Sequence, residues 1–210
     1  MIYIYYSHNQ RLENDLLKRY MQLMPADIQD KIRKFHHKED ADACLIGRLL
    51  LLECLKNYGF GPDLLQRIKY TNYKRPYLEE RVDFNISHSG TVIVCAASDK
   101  VKIGIDVERI TPIELEDFKF QMTAEEWTNL MKKKNKPDEF YSFWTKKEAV
   151  IKAEGKGLGI PLKSIVLKEG YAEVDGKQWN LTELSFGSNE YKMCLASNAE
   201  DEYLLREIFF

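Results

Sequence analysis

The sequence predicts an α+β fold with mainly antiparallel sheets. In each half of the chain, helical patterns precede runs of strand-like alternation, whereas a doubly wound parallel sheet would alternate strands with helices throughout. The chain has 210 residues, of which 44% are hydrophobic, so it can bury a sizeable core. That length suits one domain or two small packed halves. We place the boundary near Asp99-Lys100 and expect units at 1–100 and 101–210.

The first half opens with the alternation of a strand and continues with apolar residues at helical spacing. In the longest helical pattern, apolar residues recur at i+3 and i+4 until Gly59 and Gly61-Pro62 end it. The predicted elements are a strand at Met1–Tyr6, helices at Arg11–Leu23, Ala26–Phe35 and Lys38–Tyr58, and strands at Asp83–Ile86 and Thr91–Ser98.

The second half has two helical patterns between strand-like segments. Thr123 and Glu126 have the spacing of a capping box at the start of the first helix, and glycines from Gly155 onward end the second. The predicted elements are a strand at Val101–Glu108, helices at Ala124–Lys133 and Asp138–Glu154, and strands at Ser164–Lys168, Ala172–Val174, Trp179–Phe186, Glu190–Ser197 and Glu202–Phe209.

The bulk composition argues against several classes of protein. The formal net charge of −2 gives no general attraction for nucleic acid or an anionic membrane, so an anionic ligand must meet a local cluster of cations. No apolar run approaches the roughly 20 residues of a membrane span, and the first residues lack the pattern of a signal peptide. The four scattered cysteines fit reduced core residues better than disulfides or a zinc site. We therefore expect a cytoplasmic protein that binds neither nucleic acid nor membrane.

Three carboxylates form a candidate metal site. Asp106 and Glu108 alternate with apolar residues in a predicted strand, so their side chains point to one face. Like charges on one face repel unless a cation lies between them, and Mg²⁺ binds carboxylate oxygens together with substrate phosphates. Glu148 and Lys152 share one face of a predicted helix. The alternatives are a solvated edge strand and a surface Glu–Lys pair.

Two further groups are candidates for binding an anion. Ser87 and His88 follow a predicted strand, where a hydroxyl, an imidazole and backbone N–H groups can meet a phosphate; the alternative is a hydrogen-bonded turn. Lys74-Arg75-Pro76 places two cations beside a proline, and Lys31 belongs to a second basic cluster. Ammonium and guanidinium groups bind anions, although such clusters are often only solvated faces.

Four segments carry a family resemblance. In order along the chain they are Lys34–Ala41, Phe84–Gly90, Ile103–Glu108 and Phe143–Leu158. Any one of them is unspecific, but their order and spacing resemble the 4′-phosphopantetheinyl transferases, in particular the long, surfactin-synthetase-activating (Sfp-like) type. The resemblance extends from about Lys31 to Ile160.

This resemblance implies both a fold and a reaction. The fold would be a pseudo-dimer of two similar α+β halves with coenzyme A in the cleft between them, and a monomer is expected. The reaction would be Mg²⁺-dependent transfer of the phosphopantetheine arm of coenzyme A to a serine of an apo acyl or peptidyl carrier protein. Adenosine 3′,5′-bisphosphate would be released.

The resemblance also implies roles for individual residues. Glu148 is the expected base for the carrier serine, and Lys152 is expected to stabilise or protonate the phosphate at the reacting bond. The expected ligand contacts are those of Asp106, Glu108 and Glu148 with Mg²⁺, and those of Lys31, Lys74, Arg75, Pro76, Ser87, His88 and Lys152 with coenzyme A.

The chain departs from the family pattern in one loop of this set. Lys74-Arg75-Pro76 stands where the family often has Gly-Lys-Pro. Two other functions remain open: a metal-dependent phosphohydrolase acting on coenzyme A or a related nucleotide, and a noncatalytic coenzyme A-binding module. The sequence does not choose between carriers of fatty-acid, polyketide and nonribosomal peptide assembly.

Overall fold

The computed structural model describes residues 1–9 and 12–210, and at Leu158 the backbone alone. Its strands are β1 (Ile2–His8), β2 (Lys69–Tyr70), β3 (Pro76–Tyr77), β4 (Asp83–Ser89), β5 (Val92–Ser98), β6 (Ile103–Arg109), β7 (Val166–Leu167), β8 (Tyr171–Val174), β9 (Lys177–Glu183), β10 (Tyr191–Ser197) and β11 (Tyr203–Glu207). Its α-helices are α1 (Asn14–Leu23), α2 (Ala26–Arg33), α3 (Lys38–Lys56), α4 (Ala124–Met131) and α5 (Lys136–Glu154). Short 3₁₀ turns lie at Pro62–Arg67, Leu115–Gln121, Gly157–Gly159 and Leu162–Ser164.

The first sheet has four strands in the order β11-β1-β5-β4 and is covered by α3. β5 pairs antiparallel with both β1 and β4, whereas β11 runs parallel to β1, with Ile2 opposite Tyr203. Leu45, Ile46 and Leu50 on α3 are fully buried in this core. Each such side chain contributes about 2 kcal/mol through removal from water.

The second sheet has five strands in the order β6-β10-β9-β8-β7, and every neighbouring pair is antiparallel. Helix α5 lies across β6 and β10. A side chain on Gly104 of β6 would collide with the carbonyl oxygen of Ala149 and the backbone nitrogen of Ala153. Glycine at this position therefore lets the helix backbone rest directly on the strand.

A row of polar side chains joins the two sheets. β4 and β6 run in the same direction, and alternate side chains of β4 accept hydrogen bonds from alternate backbone N–H groups of β6. The four bonds, in order, are Ile103 N–H to Asp83 (2.8 Å), Ile105 N–H to Asn85 (3.1 Å), Val107 N–H to Ser87 (3.4 Å) and Arg109 N–H to Ser89 (3.1 Å). We call this row the β4–β6 seam.

The α+β class with mainly antiparallel sheets, predicted from the sequence, is confirmed. The parallel β1–β11 pair means that a strand from the second half completes the first sheet. The start of the first predicted helix, Arg11, lies outside the described residues. No helix in the described part of the chain is both long and apolar enough to cross a bilayer.

Several predicted strand boundaries are wrong: the strand predicted at Trp179–Phe186 is Lys177–Glu183, and that predicted at Glu202–Phe209 is Tyr203–Glu207. β4 continues past Ile86 to Ser89, because β5 pairs with it as far as Ser89 opposite Val92. Ser87 and His88 therefore lie within a strand and point to opposite faces, not at a strand end. The strand predicted at Ser164–Lys168 is shortened to Val166–Leu167, because a 3₁₀ turn occupies its first residue.

Candidate active site

Lys152 and Asp106 form the centre of the candidate site. The Lys152 side chain is one-quarter exposed, and its ammonium lies 2.6 Å from Oδ1 of Asp106, whose side chain is almost fully buried. Lys152 also donates to the Ser87 hydroxyl at 2.7 Å, and Ser87 donates to the same Asp106 oxygen at 3.0 Å. The strand β4, the strand β6 and the helix α5 thus each supply one member of this cluster.

The second oxygen of Asp106 lacks a partner. Oδ2 is buried and accepts no hydrogen bond from the residues that the structure describes. Burial raises the pKa of Asp106, while Lys152, Ser87 and the backbone of Val107 act in the opposite direction. A buried acceptor without a donor costs about 1–3 kcal/mol, so this oxygen fits a position meant for a ligand.

Glu108 lies two residues further along β6, on the same face as Asp106. Its Oε2 accepts a 2.7 Å hydrogen bond from the Ser89 hydroxyl. Burial raises the pKa of Glu108, the Ser89 hydrogen bond lowers it, and the charge of Asp106 raises it further. The two acids therefore interact electrostatically, as the alternating pattern predicted.

Glu148 on α5 is the third acid. Its half-buried carboxylate has no hydrogen bond or ion pair with any residue in the described part of the chain. Burial raises the pKa of Glu148, the charge of Asp106 raises it further, Lys152 lowers it, and Glu108 raises it. Three carboxylates from β6 and α5 thus share one electrostatic environment with a single ammonium group.

The three acids are candidate ligands for a metal ion. No three carboxylate, imidazole or thiol groups among residues 1–9 and 12–210 are close enough as placed to enclose an ion. The donor set nevertheless fits Mg²⁺, because it consists of carboxylate oxygens and includes the buried, unpartnered Oδ2 of Asp106. Burial is the main cause that raises the pKa values of all three acids, and the charges of neighbouring carboxylates raise those of Glu108 and Glu148 further.

A cavity of about 230 Å³ adjoins Glu148 and Lys152. One wall is the β2–β3 hairpin and the other is the second half of α5, so the cavity brings Glu148 and Lys152 to the same space as Lys74. Its lining residues are Tyr73, Lys74, Arg75, Pro76, Asn85, Glu148, Ile151, Lys152, Gly155 and Gly157.

Within this wall, Arg75 binds protein groups from three elements. Its guanidinium donates two 2.8 Å hydrogen bonds to the Asp83 carboxylate. It also donates to the carbonyl oxygens of Lys152 (3.0 Å) and Ile103 (3.1 Å). The side chain is 9% exposed. Arg75 thus ties the hairpin to β4, β6 and α5, and its expected contact with coenzyme A stays a prediction.

Lys74 has a left-handed backbone with φ of +62°. This conformation favours glycine, which is the residue that the family resemblance leads one to expect at this position. The Lys74 N–H donates to the Thr71 carbonyl at 2.8 Å and closes the turn. The exposed Lys74 side chain therefore stands at the cavity wall on a backbone conformation that glycine adopts readily.

His88 and Lys31 lie outside the hydrogen-bonded cluster. Desolvation lowers the pKa of His88, the charge of Lys152 lowers it further, Asp40 raises it and Lys31 lowers it. Lys31 lines a different cavity, of about 510 Å³, at the end of α2. The structure thus connects His88 and Lys31 with the site by charge and leaves their direct ligand contacts as predictions.

The sequence analysis missed three polar residues of β4: Asp83, Asn85 and Ser89. They hold β6 through its backbone, and Ser89 also holds Glu108. The available signal was the alternation of Asp83, Asn85, Ser87 and Ser89 in a strand, which places one polar row on one face.

The fold and the site define an α+β protein in which three acids and a lysine lie near a basic hairpin. Comparison with known proteins identifies the family. A family model described as the 4′-phosphopantetheinyl transferase superfamily matches residues 102–205, and one described as 4′-phosphopantetheinyl transferase, N-terminal, matches residues 12–100. The chain belongs to the 4′-phosphopantetheinyl transferase family, as its motifs predicted.

Two relatives from Bacillus subtilis extend this finding. A 4′-phosphopantetheinyl transferase is 34% identical over 194 residues, covering 87% of this chain and 86% of the relative. The 4′-phosphopantetheinyl transferase Sfp is 36% identical over 156 residues, covering 72% and 69%. A crystal structure of the Thermotoga maritima holo-acyl-carrier-protein synthase superimposes on 46% of this chain and 62% of its own, with a TM-score of 0.36 and 17% identity.

Proposed function

We propose that this protein transfers the 4′-phosphopantetheine arm of coenzyme A to a serine of an apo acyl or peptidyl carrier protein. The observation that carries the proposal is that Glu148 and Lys152 line the cavity of the basic hairpin while Lys152 is paired with Asp106. This arrangement can receive a pyrophosphate and a metal ion together. Membership of the transferase family supplies the reaction.

Mg²⁺ would be held by Asp106, through its unpartnered Oδ2, together with Glu108 and Glu148. When bound, it neutralises charge on the pyrophosphate as the phosphoanhydride bond breaks. Lys152 meanwhile holds its ammonium between Asp106 and Ser87, within reach of a phosphate oxygen at the same place. It stabilises the negative charge that develops on the departing group.

Glu148 acts as the base for the carrier serine, directly or through one water. The serine oxygen bonds to the phosphorus that carries pantetheine, the phosphoanhydride bond breaks, and adenosine 3′,5′-bisphosphate leaves. The proton of the serine passes to Glu148. The absence of a hydrogen-bond partner among the described residues leaves this carboxylate free to accept the proton.

Coenzyme A would lie between the two sheets, in a cleft bounded by the β2–β3 hairpin and α5. Lys74, Arg75 and Pro76 would line one side of its path. Ser87 would act on the phosphates through Lys152, whose ammonium it already binds. His88 and Lys31, which interact by charge, would contact the more distant phosphates.

We also propose two similar halves, divided near residue 100, within one monomeric chain. Each half has a 19-residue helix over a sheet, which supports the division. The protein would work in the cytoplasm, where coenzyme A and carrier proteins meet. All four cysteines are free thiols, and three of them are buried, as a reducing compartment allows.

The test is to incubate the protein with coenzyme A, Mg²⁺ and a panel of apo carriers, and to weigh the carriers by intact mass spectrometry. We expect a metal-dependent gain of one phosphopantetheine arm on the carrier serine, and the ranking of the panel would name the pathway. Coenzyme A breakdown without a modified carrier would indicate the phosphohydrolase. Coenzyme A binding without either reaction would indicate a noncatalytic module.

A further inference from the structure

The β4–β6 seam contains a unit that occurs twice. Ser87 accepts the N–H of Val107 and donates its hydroxyl to Oδ1 of Asp106. Two residues on, Ser89 accepts the N–H of Arg109 and donates its hydroxyl to an oxygen of Glu108. In both cases the serine oxygen accepts a hydrogen bond from the backbone N–H that follows an acid, and the serine hydroxyl donates a hydrogen bond to that acid.

In each unit the serine occupies one carboxylate oxygen and leaves the other available. Lys152 shares Oδ1 of Asp106 with Ser87, whereas Oδ2 has no partner in the described part of the chain. Ser89 supplies the hydrogen bond that the structure records for Glu108, at 2.7 Å to Oε2. Within the described residues, no lysine or arginine holds Glu108 as Lys152 holds Asp106.

We propose that Ser89 is a positioning residue that aims the second oxygen of Glu108 at the metal. This inference rests on the proposed function, because it takes Glu108 to be a metal ligand. A carboxylate on a strand can rotate about its side-chain bonds, and rotation costs binding energy when a cation must be captured. The N–H of Arg109 fixes the Ser89 oxygen, so that its hydroxyl proton has one strong acceptor nearby. Outer hydrogen bonds of this kind orient metal ligands and influence metal affinity.

The test measures metal binding without the transfer reaction. Mn²⁺ is titrated into the protein, with and without coenzyme A, and free Mn²⁺ is followed by electron paramagnetic resonance. We expect Ser89→Ala to weaken Mn²⁺ binding about tenfold, the lower end for loss of an outer hydrogen bond to a ligand. Ser89→Thr, which keeps the hydroxyl, should bind as the wild type does.

The matched control is Ser98→Ala. The Ser98 hydroxyl also accepts backbone N–H groups, those of Lys100 and Val101, but it does not contact the acids. An equal loss of Mn²⁺ binding in Ser98→Ala, or unchanged binding in Ser89→Ala, would overturn the proposal.

A double-mutant cycle separates positioning from general stability. If Ser89 acts through Glu108, then Ser89→Ala should change Mn²⁺ affinity little when Glu108→Gln is already present. A full tenfold loss in that background would refute the inference. A wild type that binds Mn²⁺ more tightly than Ser89→Ala and yet does not modify any carrier is a separate outcome. That result would count against the transferase function and not against the role of Ser89. Absence of Mn²⁺ binding by the wild type under both conditions would reject the inference itself.

Discussion

Helices α3 and α5 are built alike but are used differently. Each has 19 residues and covers a mainly antiparallel sheet. Where α3 packs on its sheet, the glycine is on the helix: Gly47 faces the methyl groups of Ile86 and Ile93. Where α5 packs on its sheet, the glycine is on the strand: Gly104 faces the backbone of the helix.

This difference separates a helix used for stability from a helix used for chemistry. Where α3 meets its sheet, apolar side chains interlock and exclude water. Where α5 meets β6, the backbones come so close that Glu148 and Lys152 reach the acids of the strand. The close approach brings three carboxylates into one electrostatic environment, and a bound cation would relieve their repulsion.

The largest effect is expected for Gly104→Ala. The added methyl group would meet backbone atoms of α5, which cannot rotate away. We expect a loss of at least about 3 kcal/mol in the free energy of unfolding, together with loss of transferase activity because α5 is displaced. Urea unfolding and the carrier assay would measure both.

Gly47→Ala is the matched change in the other half. Its methyl group would lie 3.0 Å from the side-chain methyl of Ile86, which can shift. The gain in helix propensity offsets part of this crowding, so we expect a change within about 1 kcal/mol and full activity. Equal effects of Gly47→Ala and Gly104→Ala on unfolding would contradict the proposed difference between the two contacts.

The next effect is that of Glu148→Gln on turnover. We expect carrier modification to slow at least about 10²-fold, the loss of a general base, while the fold remains. Near-normal turnover in this variant would reject the assignment of Glu148.

The same variant should alter the pH dependence of stability. Because the pKa of Glu148 is raised in the folded protein, the folded state binds this proton more tightly than the unfolded state. The wild type should therefore lose stability as pH rises from the ordinary glutamate pKa of 4.5 to the raised value. Glu148→Gln should lose less stability over that window in urea unfolding without Mg²⁺. An identical pH profile in the two proteins would contradict this reading of the site.

The smallest effect concerns His88. Its pKa is lowered in the free protein, so the imidazole is mainly neutral near pH 7. A nearby phosphate favours the charged imidazole, and coenzyme A binding should therefore take up part of a proton near pH 6 and tighten as pH falls. Calorimetry in two buffers of different ionisation enthalpy would measure the uptake.

His88→Ala should abolish this uptake and raise the KM for coenzyme A about fivefold, the upper end for an exposed charge pair. Lys74→Ala is a suitable comparison, because it removes a cation at the cavity without removing a group that titrates near neutral pH. Proton uptake that persists in His88→Ala would assign it to another group.

The sequence alone predicted the parts of the site that depend on local periodicity. Alternation on a strand placed Asp106 and Glu108 on one face, and helical spacing placed Glu148 with Lys152. It did not predict the partners of Ser89 or the four hydrogen bonds of Arg75, because both depend on how distant elements pack. The end of β4 was misplaced for the same reason, since pairing with β5 extends the strand beyond the local pattern.

The parallel pairing of β1 with β11 has a consequence for biosynthesis. During synthesis, β1 has an open edge until residues 203–207 have been made. At ordinary translation rates of about 5–20 residues per second, that interval is about 10–40 seconds. During this time the exposed edge can pair with other nascent chains. A folding intermediate bound by a chaperone is therefore most expected before β11 emerges from the ribosome.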